Sequence, residues 1–323
     1  MQILEPSPRP LAEALALAAA LLERASSGEA QIAASLLEGP AVVLGALQRA
    51  GRVVDVAACA TAGIPVIRRA TTGTAAYVGR RAILWTLALP HVAALHPDAT
   101  PRTLLNRNVR GFLQGLSRGG APARYFGREW IAIEHRPAAL LGFDALRDGR
   151  ILIEVFTGLD APIALPASLC ADEERAVDRW RGKEPTALAA RDPEAIALQV
   201  IEAVAARAGA TLDRAEPPTD LILAPVITDP RDPVPRGLAL AELHRAPIGW
   251  IDAAADVASG RLWLGGDALV ASFAVRDLAL AVARGESFTP GDAPIDGASW
   301  SDLEAAARAA PAGEGPAPSE IIY

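Results

Sequence analysis

Residues 64–79, Ile-Pro-Val-Ile-Arg-Arg-Ala-Thr-Thr-Gly-Thr-Ala-Ala-Tyr-Val-Gly, run a short apolar strand into two arginines and then a turn of small residues. A fold that ends a buried strand on two permanent charges must give both of them partners. Arg68 and Arg69 present planar donors that fork onto carboxylates or phosphates. Gly73, set among Thr71, Thr72 and Thr74, lets backbone amides approach a ligand closely. The competing reading is that each arginine pairs with an Asp or Glu on a neighbouring loop. Ligand contact is the preferred expectation, with Arg69 ahead of Arg68.

The 323 residues suit about two domains at roughly 100–200 residues each. Hydrophobic residues make up 51%, a value raised by alanine, and aromatic residues are few. No apolar run reaches the roughly 18 residues a membrane-spanning helix requires. The run Leu11 to Leu22 is too short and lacks a basic start and a cleavage site, so a cytoplasmic chain without membrane partners is expected. The net charge of −7 and the dispersed basic residues argue against a nucleic-acid partner, which needs a concentrated basic face. Two cysteines support neither a disulfide framework nor a zinc site, and no metal site is expected. Cys59 reads as a small buried hydrophobe in a helix from Val54 to Thr61. Cys170 lies in a loop before Asp172, where a helix end could lower its pKa, although an inert thiol is preferred.

Local signals give a coarse element order. Pro10 opens a helix from Leu11 to about Arg24, stopped at Ser26-Ser27-Gly28. Short buried strands are expected at Ala41 to Leu44 and Pro65 to Arg68, with a longer one at Ala82 to Leu89. A helix starting at Thr100-Pro101 carries Leu104, Val109, Phe112, Leu113 and Leu116 on one face. Beyond Gly119-Gly120, strands are expected at Trp130 to Glu134, Ala138 to Leu141 and Arg150 to Phe156, the last pair joined by an Asp148-Gly149 turn. Helices follow at Asp172 to Arg181 and Pro193 to Ala208, the second capped by Asp192 and stopped by Gly209. A Pro- and Asp-rich stretch from Glu216 to Pro235 surrounds an expected strand, Leu221 to Val226. Then come a strand from Gly249, a Ser259-Gly260 turn, a strand Arg261 to Leu264, Gly265-Gly266-Asp267 and a helix Ser272 to Arg284. Trp85 and Trp130 read as core residues, and the last 30 or so residues as a loose tail.

Upstream of the arginines stands Gly39-Pro40-Ala41-Val42-Val43-Leu44-Gly45-Ala46-Leu47-Gln48. This block, Gly63-Ile64-Pro65-Val66, the two arginines and the small-residue loop together resemble the catalytic domain of lipoate-protein ligases, in the biotin and lipoate ligase superfamily. Leu105-Asn106-Arg107 also resembles the family, and the turn and closing helix after Gly249 resemble the accessory domain of its long members. The resemblance implies an α+β fold of mixed sheets flanked by helices. It implies a catalytic-type domain over residues 1–215, a small α/β accessory domain over 216–290 and a flexible tail over 291–323.

In the resembled family a carboxylate attacks the α-phosphate of ATP, and the acyl-adenylate then passes its acyl group to a carrier-protein lysine. The resemblance places Arg68, Arg69, Thr71, Thr72, Gly73, Thr74, Ala75 and Tyr77 at the ligand-binding loop. It also marks departures. The glycine-rich loop is mostly threonine, the loop histidine position holds Val78, and the strand-turn lysine position holds Pro137. Lys183 is the single lysine in the chain and is not near that position in sequence. Arg136, one residue from Pro137, is the candidate catalytic cation, with His135 a weaker one.

These departures predict a divergent ligase-like protein that binds a lipoyl- or octanoyl-type acyl group or acyl-adenylate, with or without its transfer to a carrier lysine, and with ATP activation impaired. ATP and magnesium are expected only if adenylation is retained. The alternative is a non-catalytic pseudo-ligase that holds a lipoyl or biotinyl carrier domain. Acyl transfer through Cys59 or Cys170 is a third reading.

Overall fold

The computed structural model describes residues 1–117, 122–189, 192–256 and 259–310; Gly119, Gly120 and the end of the expected tail lie outside them. The chain begins β1 (Gln2–Arg9), α1 (Leu11–Arg24), β2 (Gln31–Glu38), β3 (Ala41–Leu44), α2 (Ala50–Val53), α3 (Val56–Thr61), β4 (Val66–Arg68) and β5 (Ala76–Val78). It continues through β6 (Arg81–Leu89), α4 (Leu104–Ser117), β7 (Ala123–Tyr125), β8 (Trp130–Ile133), β9 (Arg136–Ala145), β10 (Ile151–Gly158), α5 (Asp172–Arg175) and α6 (Pro193–Ala208). The remainder is β11 (Asp213–Arg214), β12 (Ala239–Leu240), β13 (His244–Ala246), β14 (Gly249–Asp256), β15 (Arg261–Gly266), β16 (Leu269–Val270), α7 (Ser272–Ala283), β17 (Ile295–Asp296) and α8 (Trp300–Ala309).

A mixed sheet, ordered β11-β1-β2-β6-β10-β9-β8-β7, organises the molecule. Its central strands are apolar on both faces, as strands covered by helices on one side and by further layers on the other must be. Ile83, Trp85 and Leu87 of β6, with Ile151, Ile153 and Val155 of β10, point to the face covered by α4 and α6. The alternate positions point the other way, toward α1 and a small sheet ordered β4-β3-β5. Period-two alternation therefore sends Gly142, Glu154 and Phe156 to the same face as the small sheet, because Glu154 pairs with Gly142 and Phe156 with Leu140 in register.

Helices α4 and α6 approach closely through two glycines one turn apart. A Cβ at Gly111 would stand 2.6 Å from Val204 Cα, and one at Gly115 would stand 2.6 Å from Val200 Cα. Alanine gains about 1 kcal/mol of helix propensity over glycine, but overpacking against backbone costs about 1–3 kcal/mol because no rotamer change relieves it. Gly115→Ala is expected to lower stability by a net amount on the order of 1 kcal/mol, read as a lower urea midpoint at unchanged slope. A gain in stability would show that the helices separate readily.

Several local expectations are met, including the α1 boundaries, the Asp192 cap on Ala195 N and the left-handed Gly209 stop. Others are corrected. Strands β1 and β2, not anticipated from the sequence, join the main sheet between β11 and β6. The helix expected over Asp172 to Arg181 is a single turn, α5. Leu221 to Val226 forms no regular element and joins no sheet, with one isolated bridge from Val226 to Ile67. Within the expected loose tail, β17 pairs with β16, and α8 is closed by a Ser299 capping box and buries Leu303, Ala306 and Ala307 against β14, β15 and α7.

Candidate functional site

Strand β4 carries Ile67 into the core and ends on Arg68 and Arg69, which diverge. Arg68 turns toward the preceding loop, donating to the Asp232 carboxylate at 2.7 Å and to the carbonyls of Gly45 and Gln48 at 2.6 and 2.8 Å. Arg69 is wholly buried, lying over Gly142 with its guanidinium 5.3 Å from the Phe156 ring. Its donors go to the carbonyls of Thr71, Thr72 and Thr74 at 3.0–3.3 Å. Glu154 is its charge partner at 3.9 Å and also accepts from the Thr71 hydroxyl.

Burial dominates this pair. It pushes Arg69 down to about 10 against the opposing attraction of Glu154, and it pushes Glu154 up against Arg69 and the Thr71 hydrogen bond. Arg69 Nη1, Glu154 Oε1 and Thr74 Oγ1 are buried without a hydrogen-bond partner. Glu154 was not singled out from the sequence. Its signal was a lone carboxylate in the apolar run Ile-Leu-Ile-Glu-Val-Phe, a position that burial makes unfavourable unless a cation is supplied.

The rest of the loop is built into the protein. Thr72 exchanges backbone hydrogen bonds with Phe143, and its hydroxyl accepts from Val270 N at 2.9 Å. Gly73 has φ +102°, a conformation side chains rarely adopt, and Leu269 Cδ2 lies 2.6 Å from where its Cβ would stand. Ala75 is buried beside Val42 and Leu44, and Tyr77 is half-buried on β5. Thus Arg69, Thr71, Thr72, Gly73 and Thr74 are brought together under β16, whereas Arg68 faces away.

Arg136 is not part of this cluster. It starts β9 beyond a two-residue turn in which Glu134 and His135 have positive φ, six residues and so roughly 20 Å along the strand from Gly142. Its guanidinium donates to the carbonyls of Glu184 and Pro185 and pairs with exposed Glu184. The tertiary structure also brings the single lysine to this turn, with Lys183 Nζ 3.4 Å from His135 O. Sequence distance had hidden that neighbour. Pro137 is buried, and its carbonyl accepts from Thr186 N.

The C-terminal elements are fastened over the loop by charge. Asp267 is wholly buried and accepts from Gln48 Nε2 at 2.6 Å, Arg52 Nη2 at 2.5 Å, Arg179 Nη2 at 3.2 Å and Trp250 N at 2.9 Å. Arg52 also meets Asp252 and Glu174, and Arg179 meets Glu174. Burial alone would raise Asp267; the two arginines overcome it and hold the carboxyl well below its usual range.

Asp144 forms a second fastening, accepting from Ser272 N and Oγ at 2.8 Å. Burial raises it to about 6 despite those donors. The folded protein then keeps this proton to higher pH than the unfolded chain, so stability falls as pH rises from about 4 to about 6 and stays lower above. The loss is on the order of 3 kcal/mol. Asp144→Asn, neutral and similar in shape, is expected to remove this slope and to melt higher than wild type at neutral pH. An identical pH profile in the variant would assign the slope elsewhere.

Neither thiol has the environment of a nucleophile. Cys59 is buried and raised by desolvation, and Cys170, in the loop before α5, is buried, donates to the Pro166 carbonyl and is raised to about 11 by burial. Among the described residues, no group of three His, Cys, Asp or Glu could hold a metal ion, and no helix is long and apolar enough to cross a membrane.

An arginine loop on a small sheet, packed over a larger mixed sheet and covered by the elements from β13 to α8, has the architecture of a lipoate-ligase type of fold. Residues 10–138 match the family model of the lipoyl protein ligase A/B catalytic domain. No curated protein sequence matches the chain. Among solved structures it is similar to LipL1 of P. falciparum in complex with lipoate, with TM-score 0.63, 11% identity, and coverage of 86% of this chain and 87% of that one. It is also similar to the bipartite lipoate protein ligase studied with its E2 lipoyl domain from Thermoplasma acidophilum, with TM-score 0.54, 15% identity and coverage of 67% and 86%. A third is a lipoate-protein ligase A bound with ATP, with TM-score 0.53, 14% identity and coverage of 67% and 88%.

Proposed function

We propose that the protein is a ligase-like binder of a lipoyl-type carrier domain that does not activate the free acid with ATP. One observation carries this reading: the guanidinium of Arg69 is held inside by Glu154 and three loop carbonyls, under Leu269. An adenylating site needs cations and amides preorganised around the charge that develops on phosphate, and one missing donor there costs about 3 kcal/mol of barrier. Here the best-placed cation is neutralised by the protein itself. Pro137 stands at the position of the family lysine, and Arg136 is engaged with the 184–185 carbonyls far along β9. The relative solved with its lipoyl domain supports carrier recognition as the function that survives.

Isothermal titration with a lipoylated and an unmodified lipoyl domain, beside ATP–pyrophosphate exchange with lipoate and octanoate, tests the proposal. Binding of a domain without exchange is expected. Exchange above background would overturn it.

The three unpartnered polar atoms around Arg69 favour a second reading, in which the loop rearranges to receive a small acyl ligand or acyl-adenylate. A cleft of about 260 Å³ lined by Leu105, Asn106, Phe143 and Leu269 adjoins the loop cover and would take the chain. A melting shift with lipoyl-adenylate would favour this reading; magnesium and ATP enter it only if exchange is found.

A further inference from the structure

A large cavity lies apart from the arginine loop and has no part in the reading above. It measures about 790 Å³. Val54, Cys59, Ile64, Val66 and Ile227 make it apolar, and Ala57 and Ala60, on the exposed side of α3, stand in its lining. Asp55, Asp172 and Glu173 also line it, against one cation, Arg175. That arginine is already engaged by Asp172 and by the carbonyls of Ala167 and Cys170. The lining is therefore apolar with a negative balance.

Its wall continues into the stretch at residues 221–226. The main chain of Leu221 to Ala224 makes no hydrogen bond among the described residues, and Ile227 N donates to Val66 O where the stretch rejoins the protein. Ile222 is 91% exposed, and Leu223 and Val226 are more than half exposed. An unpaired segment with apolar side chains on its surface is a template for another strand, a feature that proteins otherwise suppress. Pro218 and Pro225 bracket it and limit the template to a few residues.

We propose that this cavity and the 221–226 stretch form a docking groove for an extended apolar segment of a partner protein flanked by lysine or arginine. The segment adds as a short strand along Leu221 to Ala224. Its alternate side chains enter the cavity, and its basic flanks meet Asp55 and Glu173. Unpaired main-chain groups favour a peptide over a small amphiphilic cation, which could use the cavity and the carboxylates but not the strand.

The test uses the full chain and fluorescence anisotropy with two labelled octapeptides sharing a Val-Ile-Leu-Val core, one with paired lysines at each end and one with paired glutamates. The lysine peptide is expected to bind roughly tenfold tighter or more at low salt, with the difference shrinking at high salt. Ala60→Trp, filling the cavity from an exposed helix position, should weaken binding roughly tenfold with an unchanged melting temperature. Consecutive N–H groups point to opposite sides of an extended chain, so one of Ile222→Pro and Leu223→Pro should do the same. Equal binding of both peptides, full binding by all three variants, or binding of decyltrimethylammonium without binding of the lysine peptide would each overturn the proposal. None of these outcomes depends on carrier-domain binding or ATP exchange.

Discussion

Arg69→Ala is expected to destabilise the fold by about 3–5 kcal/mol, measured as a shifted urea midpoint at constant slope. The substitution strands Glu154, a fully buried carboxylate, without a cation, and leaves the carbonyl of Thr74 without its donor, while that of Thr71 keeps the Ala46 N–H. An arginine kept for a ligand would behave in the opposite way: its removal would relieve burial of a charge and leave stability unchanged or improved. Pairing the change with Glu154→Leu separates the contributions. With both charges gone, the ionic share of the loss should return, because a buried pair replaced by apolar side chains is often near neutral. The Thr74 carbonyl stays unpaired, so a residue of about 1 kcal/mol should persist. Wild-type stability in Arg69→Ala would return Arg69 to the list of ligand-facing cations and remove the main support for a protein that does not activate its acid.

Asp267→Ala should produce a loss of similar size, about 3–5 kcal/mol, with a different spatial signature. Two buried arginines, Arg52 and Arg179, lose a shared partner, and Gln48 Nε2 and Trp250 N lose an acceptor. The elements from β13 to α8 have an apolar core of their own in Val270, Val275, Leu278 and Leu303. Local opening should therefore precede global unfolding. Hydrogen exchange should accelerate first at Val270 N, which binds Thr72, and at Thr72 N in the arginine loop. Asp267→Asn should fall between wild type and alanine, since it keeps the shape while leaving the arginines one negative charge short. Uniform acceleration across the main sheet would show that the C-terminal elements do not open as a unit.

Much of the scaffold was legible because its signals are local. Pro10 before an apolar helical run, Asp192 before Pro193, Gly209 after Ala208 and Asp148-Gly149 between two apolar runs each act within a few residues, through fixed φ, capped N–H groups or tolerated left-handed backbone. The order of those elements with the 39–79 block was sufficient to indicate the family. Strands β1 and β2 were missed because Ser-Pro-Arg and Ala-Ala-Ser give them little β-propensity, and pairing of β1 with β2 and of β2 with β6 supplies what propensity does not. Leu221 to Val226 erred in the other direction: its apolar pattern is that of a strand, but among the described residues only Val226 is bridged, to Ile67.

The sequence by itself determined the position of the two arginines at a strand end and pointed to a lipoyl ligase A/B type of scaffold over part of the chain. It could not decide what those arginines face. Glu154 reaches Arg69 only because β10 pairs in one register with β9, a single-residue slip of which would turn Glu154 to the opposite face. Leu269 covers Gly73, and Lys183 reaches His135, only through packing of segments distant in the chain. Burial and charge pairing depend on those distant partners, so the closed state of the arginine loop is a property of the tertiary structure alone.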